Sequence, residues 1–176
     1  MRALLLLASA LPLAAVEVAP DASALRSQVT DVERTIDARF RDLAGAQPMS
    51  MLGSARGVYL DGYGAVFTVE INLAPVARLS PFRQSYSAEE KRQLNVRKRQ
   101  RLEDLEQQAR KILAEVAGKL TLIPADETVS LAVSLFYFPW EDLTGLPRQM
   151  VAAAKRSAIA GAPAAAIRES LGVRYF

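Results

Sequence analysis

Two clusters in this chain hold residue types that could do chemistry. The first is basic. Lys91, Arg92, Arg97, Lys98, Arg99 and Arg101 crowd between positions 91 and 101. Such a run suits an anionic partner: membrane head groups, an acidic protein or another polyanion. It also suits a solvated helix face, because Glu103, Asp104 and Glu106 follow at helical pairing distances of three and four.

The second cluster is aromatic and acidic. Phe136, Tyr137, Phe138 and Trp140 precede Glu141 and Asp142. An indole beside two carboxylates can stack a sugar ring, and two carboxyls roughly 5–9 Å apart can hydrolyse a glycosidic bond. Tyr137, Trp140, Glu141 and Asp142 are therefore candidate ligand-binding residues. Core packing of the rings and helix capping by Asp142 would account for the same residues. Asp61 and Glu70 are further carboxylates near strand ends. A turn and a polar strand face account for them.

Other chemistries are closed. The chain has no histidine and no cysteine. That removes the Ser-His-Asp triad, the thiolate nucleophile, thiolate zinc sites, iron–sulfur clusters and disulfides. No Gly-x-Ser-x-Gly elbow or Ser-x-x-Lys pattern occurs. Gly57, Gly62 and Gly64 lack the spacing of a phosphate-binding loop. No calcium-type loop of spaced acids is present. No catalytic residue, metal or cofactor is assigned.

The elements that must position these clusters follow from periodicity. Leu25, Val29, Val32, Ile36, Phe40 and Leu43 recur every three or four residues. This predicts a helix from Asp21 to Leu43, stopped by Gly45. Residues 47–55 read as a loop. Gly57 to Asp61, a glycine turn, and Ala65 to Leu73 read as a hairpin. Phe67, Val69, Ile71 and Leu73 alternate with Thr68, Glu70 and Asn72 along its second arm.

A connection over 74–86 leads to a long helix at about 88–117. Ser87 with Glu90 forms a capping box, and Gly118 is the expected stop. Its second half carries a heptad-like seam: Leu102, Leu105, Ala109, Ile112 and Val116. That seam would pack on the sheet or, as a coiled coil, on a second copy. Residues 127–138 read as a strand, with Val129, Leu131, Val133, Leu135 and Tyr137 on one face. Helices are expected at 146–159 and 164–171, then a tail to Phe176. The fold class is α+β: a small antiparallel sheet (hairpin 57–73 plus strand 127–138) covered by helices.

The start of the chain carries an address. Arg2 and then the apolar run Ala3–Leu13 read as a secretory signal peptide over 1–15, cut after Ala15. The run is shorter than the roughly 20 residues a membrane span needs. Residues 16–20 are a linker, and 21–176 form one domain, consistent with a 176-residue chain that is 51% apolar. The 22 basic and 19 acidic residues leave a charge of only +3, so a nucleic-acid partner is not expected.

These readings converge on an exported protein, periplasmic or extracellular, that works by contact rather than catalysis. Its basic half-helix would meet a protein or an anionic surface, and the chain could pair with itself. The alternative is a carboxylate-dependent hydrolase or carbohydrate-binding domain at Trp140. Neither reading calls for a transmembrane span after the leader is removed.

Overall fold

The computed structural model describes residues 21–46, 49–76 and 85–176. The predicted leader and linker, and much of the 74–86 connection, lie outside these residues. Among the described residues no helix is long and apolar enough to cross a membrane.

Helix α1 (Ala22–Ala46) starts where the Asp21 carboxylate accepts the Ser23 amide at 3.0 Å. Its predicted stripe is interior as far as Phe40: Leu25, Val29, Val32, Ile36 and Phe40 are at most 8% exposed, and the Leu43 side chain lies outside what the structure describes. The helix runs through Gly45 rather than stopping there. Glycine inside a helix costs only about 1 kcal/mol against alanine, and one residue does not end it. The loop predicted over 47–55 contains a short strand, β1 (Ser50–Met51).

The hairpin is as predicted: β2 (Arg56–Leu60) pairs antiparallel with β3 (Gly64–Asn72). Strand β3 carries β1 on the same edge, through Ile71 and Asn72. Helix α2 (Ala88–Lys119) follows, with both halves of the Ser87–Glu90 capping box formed. It passes through Gly118, the expected stop, to end at Lys119, with Leu120 as its cap. Most of the seam packs inward: Leu105, Ala109, Ile112 and Val116 are at most 3% exposed, with buried Leu113 beside them, while Leu102 is half-buried. It joins α1 and the sheet in a single core rather than presenting a coiled-coil stripe. Burying each large side chain of this kind contributes roughly 1.5–3 kcal/mol.

Strand β4 (Thr128–Leu135) lies beside β3, and the pair is parallel. Here the expected small antiparallel sheet is corrected. A crossover helix between two strands returns the chain to the end where it started, so neighbours joined this way must run the same direction.

The helix expected at 146–159 is also corrected. Residues Gln149–Lys155 form strand β5, and only Arg156–Ile159 are helical, as α3. The alanines of this stretch favour a helix on propensity. The period is nonetheless two: Met150, Ala152 and Ala154 are buried, and Gln149, Val151 and Ala153 are not. Pairing to strands on both sides overrides the propensity. Helix α4 (Ala164–Ser170) matches expectation, and the predicted tail is strand β6 (Gly172–Tyr175).

The result is a mixed six-stranded sheet, ordered β1-β3-β4-β5-β6 with β2 also on β3. One face is core: Phe67, Val69 and Ile71 of β3, Leu131 and Val133 of β4, and Met150 of β5 lie beneath α1 and α2. The β2 edge is sealed by α1. Glu33 accepts the Gly57 amide at 2.7 Å, Asp37 accepts the Ala55 amide at 2.7 Å, and Arg26 donates to the Gly57 carbonyl.

Candidate functional site

The first half of α2 and the segment that follows β4 meet, so the two clusters read from the sequence form one assembly. The seam of α2 is what joins them. Stepping back from Leu102 in its alternating spacing of four and three reaches Lys98 and then Asn95. Both face inward: Lys98 is fully buried and Asn95 is 8% exposed.

Lys98 has its ammonium 2.5 Å from a Glu141 carboxylate oxygen. The ammonium also lies 4.7 Å from the centre of the Tyr137 ring and 3.4 Å from the Phe136 carbonyl. The other Glu141 oxygen accepts the Phe138 amide at 3.0 Å. Burial lowers the Lys98 pKa, and the Glu141 contact works against that. The Tyr137 hydroxyl donates to the Pro147 carbonyl at 2.7 Å. Burial, helped by the Glu141 charge, pushes the Tyr137 phenol up to about 12.

Asn95 clamps the turn. Its amide nitrogen donates to the carbonyls of Asp142 and Thr144, at 2.9 and 3.1 Å. The Asp142 carboxylate accepts the Thr144 amide at 2.9 Å, which lowers the Asp142 pKa. It closes its own turn rather than capping a helix. Gly145 has φ +70°, a conformation glycine takes without strain, and sits against the Arg99 guanidinium.

Trp140 is held by stacking. Its indole lies on Tyr86 at 4.3 Å between ring centres and on Phe138 at 5.5 Å, both nearly parallel to it. Phe136 meets Phe138 edge to face at 5.0 Å. The stacking surface of Trp140 is thus used within the protein.

The six predicted cations have separate fates. Lys98 is interior and is removed from any contact surface. Arg101 is half-buried and donates to the Leu73 carbonyl at 2.7 Å. Arg92 pairs with Glu89 at 2.6 Å. Lys91 is half-buried, while Arg97 and Arg99 are exposed and form no ion pair among the described residues. A shallow depression of about 450 Å³ runs along Glu89, Arg92, Gln93, Val96 and Arg97. Val96 is 53% exposed at its floor.

Chemically, the Lys98–Glu141 pair is a knot rather than a reactive centre. Neither side chain reaches solvent, so no substrate can approach either group in this conformation. Among the described residues no group of histidines, cysteines or acids is arranged to hold a metal. Asn95 is the residue that sequence reading missed. Its signal was its place in register with the seam.

No protein family, curated protein or solved structure matches this chain.

Proposed function

We propose that this is an exported, non-enzymatic protein that acts by contact with an anionic surface through the solvent-exposed residues of the first half of α2. The observation that carries the reading is the exposure of Arg97 and Arg99, one on each flank of a helix that is pinned through Lys98 between them. Asn95 and Lys98 fix that helix to the 136–146 segment. Cations on a rigid, anchored helix pay less ordering entropy on binding than cations on a loose one. Exposed Val96 between Arg92 and Arg97 adds an apolar contact within the same depression.

The test is a binding measurement on vesicles with and without anionic lipid, over a salt series. The unmodified protein is expected to bind the anionic vesicles and to release as salt rises. Arg97→Glu combined with Arg99→Glu should abolish binding while leaving the circular dichroism spectrum unchanged. Equal recovery of the unmodified and charge-reversed proteins would overturn the reading.

The alternative, a hydrolase or carbohydrate-binding domain at Trp140, would need carboxyls other than Glu141. That acid is engaged by Lys98 and the Phe138 amide. Activity surviving Glu141→Gln would be its minimum requirement.

A further inference from the structure

We infer that the β6 edge of the sheet is a docking site for an extended peptide carrying an acidic residue between apolar ones. The inference does not rest on the reading of α2. It begins with the hydrogen-bond register.

Gln149 and Phe176 exchange both backbone hydrogen bonds, at 3.1 and 3.0 Å. In an antiparallel ladder, bonded and non-bonded pairs alternate. Arg174 opposite Val151 and Gly172 opposite Ala153 are therefore bonded pairs. Tyr175 opposite Met150 and Val173 opposite Ala152 are not. The amides and carbonyls of Val173 and Tyr175 consequently point away from β5, toward the sheet's outer edge. No described strand lies there, since β6 ends the strand order. The β2 edge contrasts with it, because side chains of α1 occupy the outward groups of Gly57.

A row of unpaired donors and acceptors is a template for one more strand. The side chains along it define which strand fits. Val173 and Tyr175 lie on the helix-covered face, opposite the buried Ala152 and Met150. Beside Tyr175 is an open depression of about 390 Å³, lined by Leu102, Gly145, Leu146 and Pro147. Peptide residues opposite Val173 and Tyr175 would point to this side, and an apolar side chain would enter the depression. Arg174 is exposed on the other face. A residue opposite it would meet its guanidinium directly.

Charge decides the occupant. A second copy pairing antiparallel with Val173 opposite Tyr175, the register that overlaps the outward-facing groups of the two β6 strands most fully, would place Arg174 opposite Arg174. Like charges directly across a ladder repel. A peptide with glutamate or aspartate at that position gains an ion pair instead, with valine, leucine or isoleucine on either side of it.

The experiment uses the full chain and two synthetic peptides. Each alternates valine with threonine around a central residue, glutamate in one and lysine in the other. Amide hydrogen exchange of Val173 and Tyr175 is read by NMR. Saturating glutamate peptide is expected to slow both amides at least about tenfold, and the lysine peptide should bind more weakly. Arg174→Glu should invert that preference. Unchanged exchange at Val173 and Tyr175 with either peptide would overturn the docking site. Protection without any charge preference would overturn the acidic assignment. A concentration-dependent dimer that protects these amides without peptide would also overturn it, in favour of a second copy.

Discussion

Lys98 and Glu141 form an ion pair that neither partner shares with solvent, at 2.5 Å, across the junction of α2 and the segment after β4. Breaking such a pair from one side leaves the remaining charge buried, which costs about 3–5 kcal/mol. Lys98→Met is therefore expected to lower the stability by that amount in urea unfolding. Adding Glu141→Gln to it removes the orphaned charge and keeps an acceptor for the Phe138 amide. The double variant should regain much of the loss. A double variant no more stable than Lys98→Met alone would show that packing, not charge, holds the junction.

Asn95→Ala tests the same junction without altering charge. Two carbonyls, Asp142 and Thr144, lose their donor. Both bonds are only part-buried and water can reach the carbonyls once the donor is gone, so the loss is about 0.5–1.5 kcal/mol per bond. Hydrogen exchange in residues 139–147 should accelerate more than exchange in β3 and β4. Uniform acceleration across the sheet would argue against a local clamp.

Much of the frame was legible from periodicity alone, and the failures share a cause. The stripe of α1, the hairpin turn and the Ser87–Glu90 cap depend on residues close in sequence. Strand β5 and the parallel β3–β4 pair depend on neighbours far along the chain. Alanines at 152, 153 and 154 carry no local mark of a strand. They become one because β4 and β6 pair with them on either side. In the site, the basic run concealed its own division. Lys98 sits in the seam and Arg99 does not, though the two are adjacent. Reading the seam by position, rather than stopping it at the first polar residue, places Lys98 and Asn95 inside.

Alkaline pH should weaken the fold through Tyr137. Burial, with Glu141 second, raises its phenol to about 12 from an ordinary value of 10. Between those values the unfolded chain loses the proton and the folded chain keeps it. Stability therefore falls as pH rises through that window. Below pH 10 the contribution is complete. Tyr137→Phe should flatten the decline, at the loss of the hydrogen bond to Pro147. Tyr175 acts in the same sense, since burial and then its bond to Glu106 raise its phenol. Some slope should thus survive in the variant. Unfolding midpoints measured at several values above pH 9, with phenolate absorbance followed in parallel, would check both points. A Tyr137→Phe slope equal to that of the unmodified protein would refute the assignment.

Gly64→Ala should be the most damaging small substitution in the sheet. Gly64 opens β3 at φ +123°, a conformation that side-chain-bearing residues rarely adopt. A methyl there would also fall on the carbonyl oxygen of Thr128, the residue beside it in β4. Backbone cannot rotate away as a side chain could. The contact also sits where Tyr63 accepts the Thr128 amide, so relief on one side strains the turn on the other. The conformational term alone is about 1–3 kcal/mol, and displacement of β4 adds to it. Gly62→Ala, in the same turn, meets nothing within 4 Å and carries only the positive-φ penalty at +73°. Gly64→Ala thus adds a steric clash, and a backbone angle farther from the left-handed region, to the milder penalty that Gly62→Ala carries alone. Gly64→Ala should lose clearly more stability than Gly62→Ala in chemical unfolding. Equal losses would mean that β4 yields to the methyl, and that the β3–β4 start is softer than its register implies.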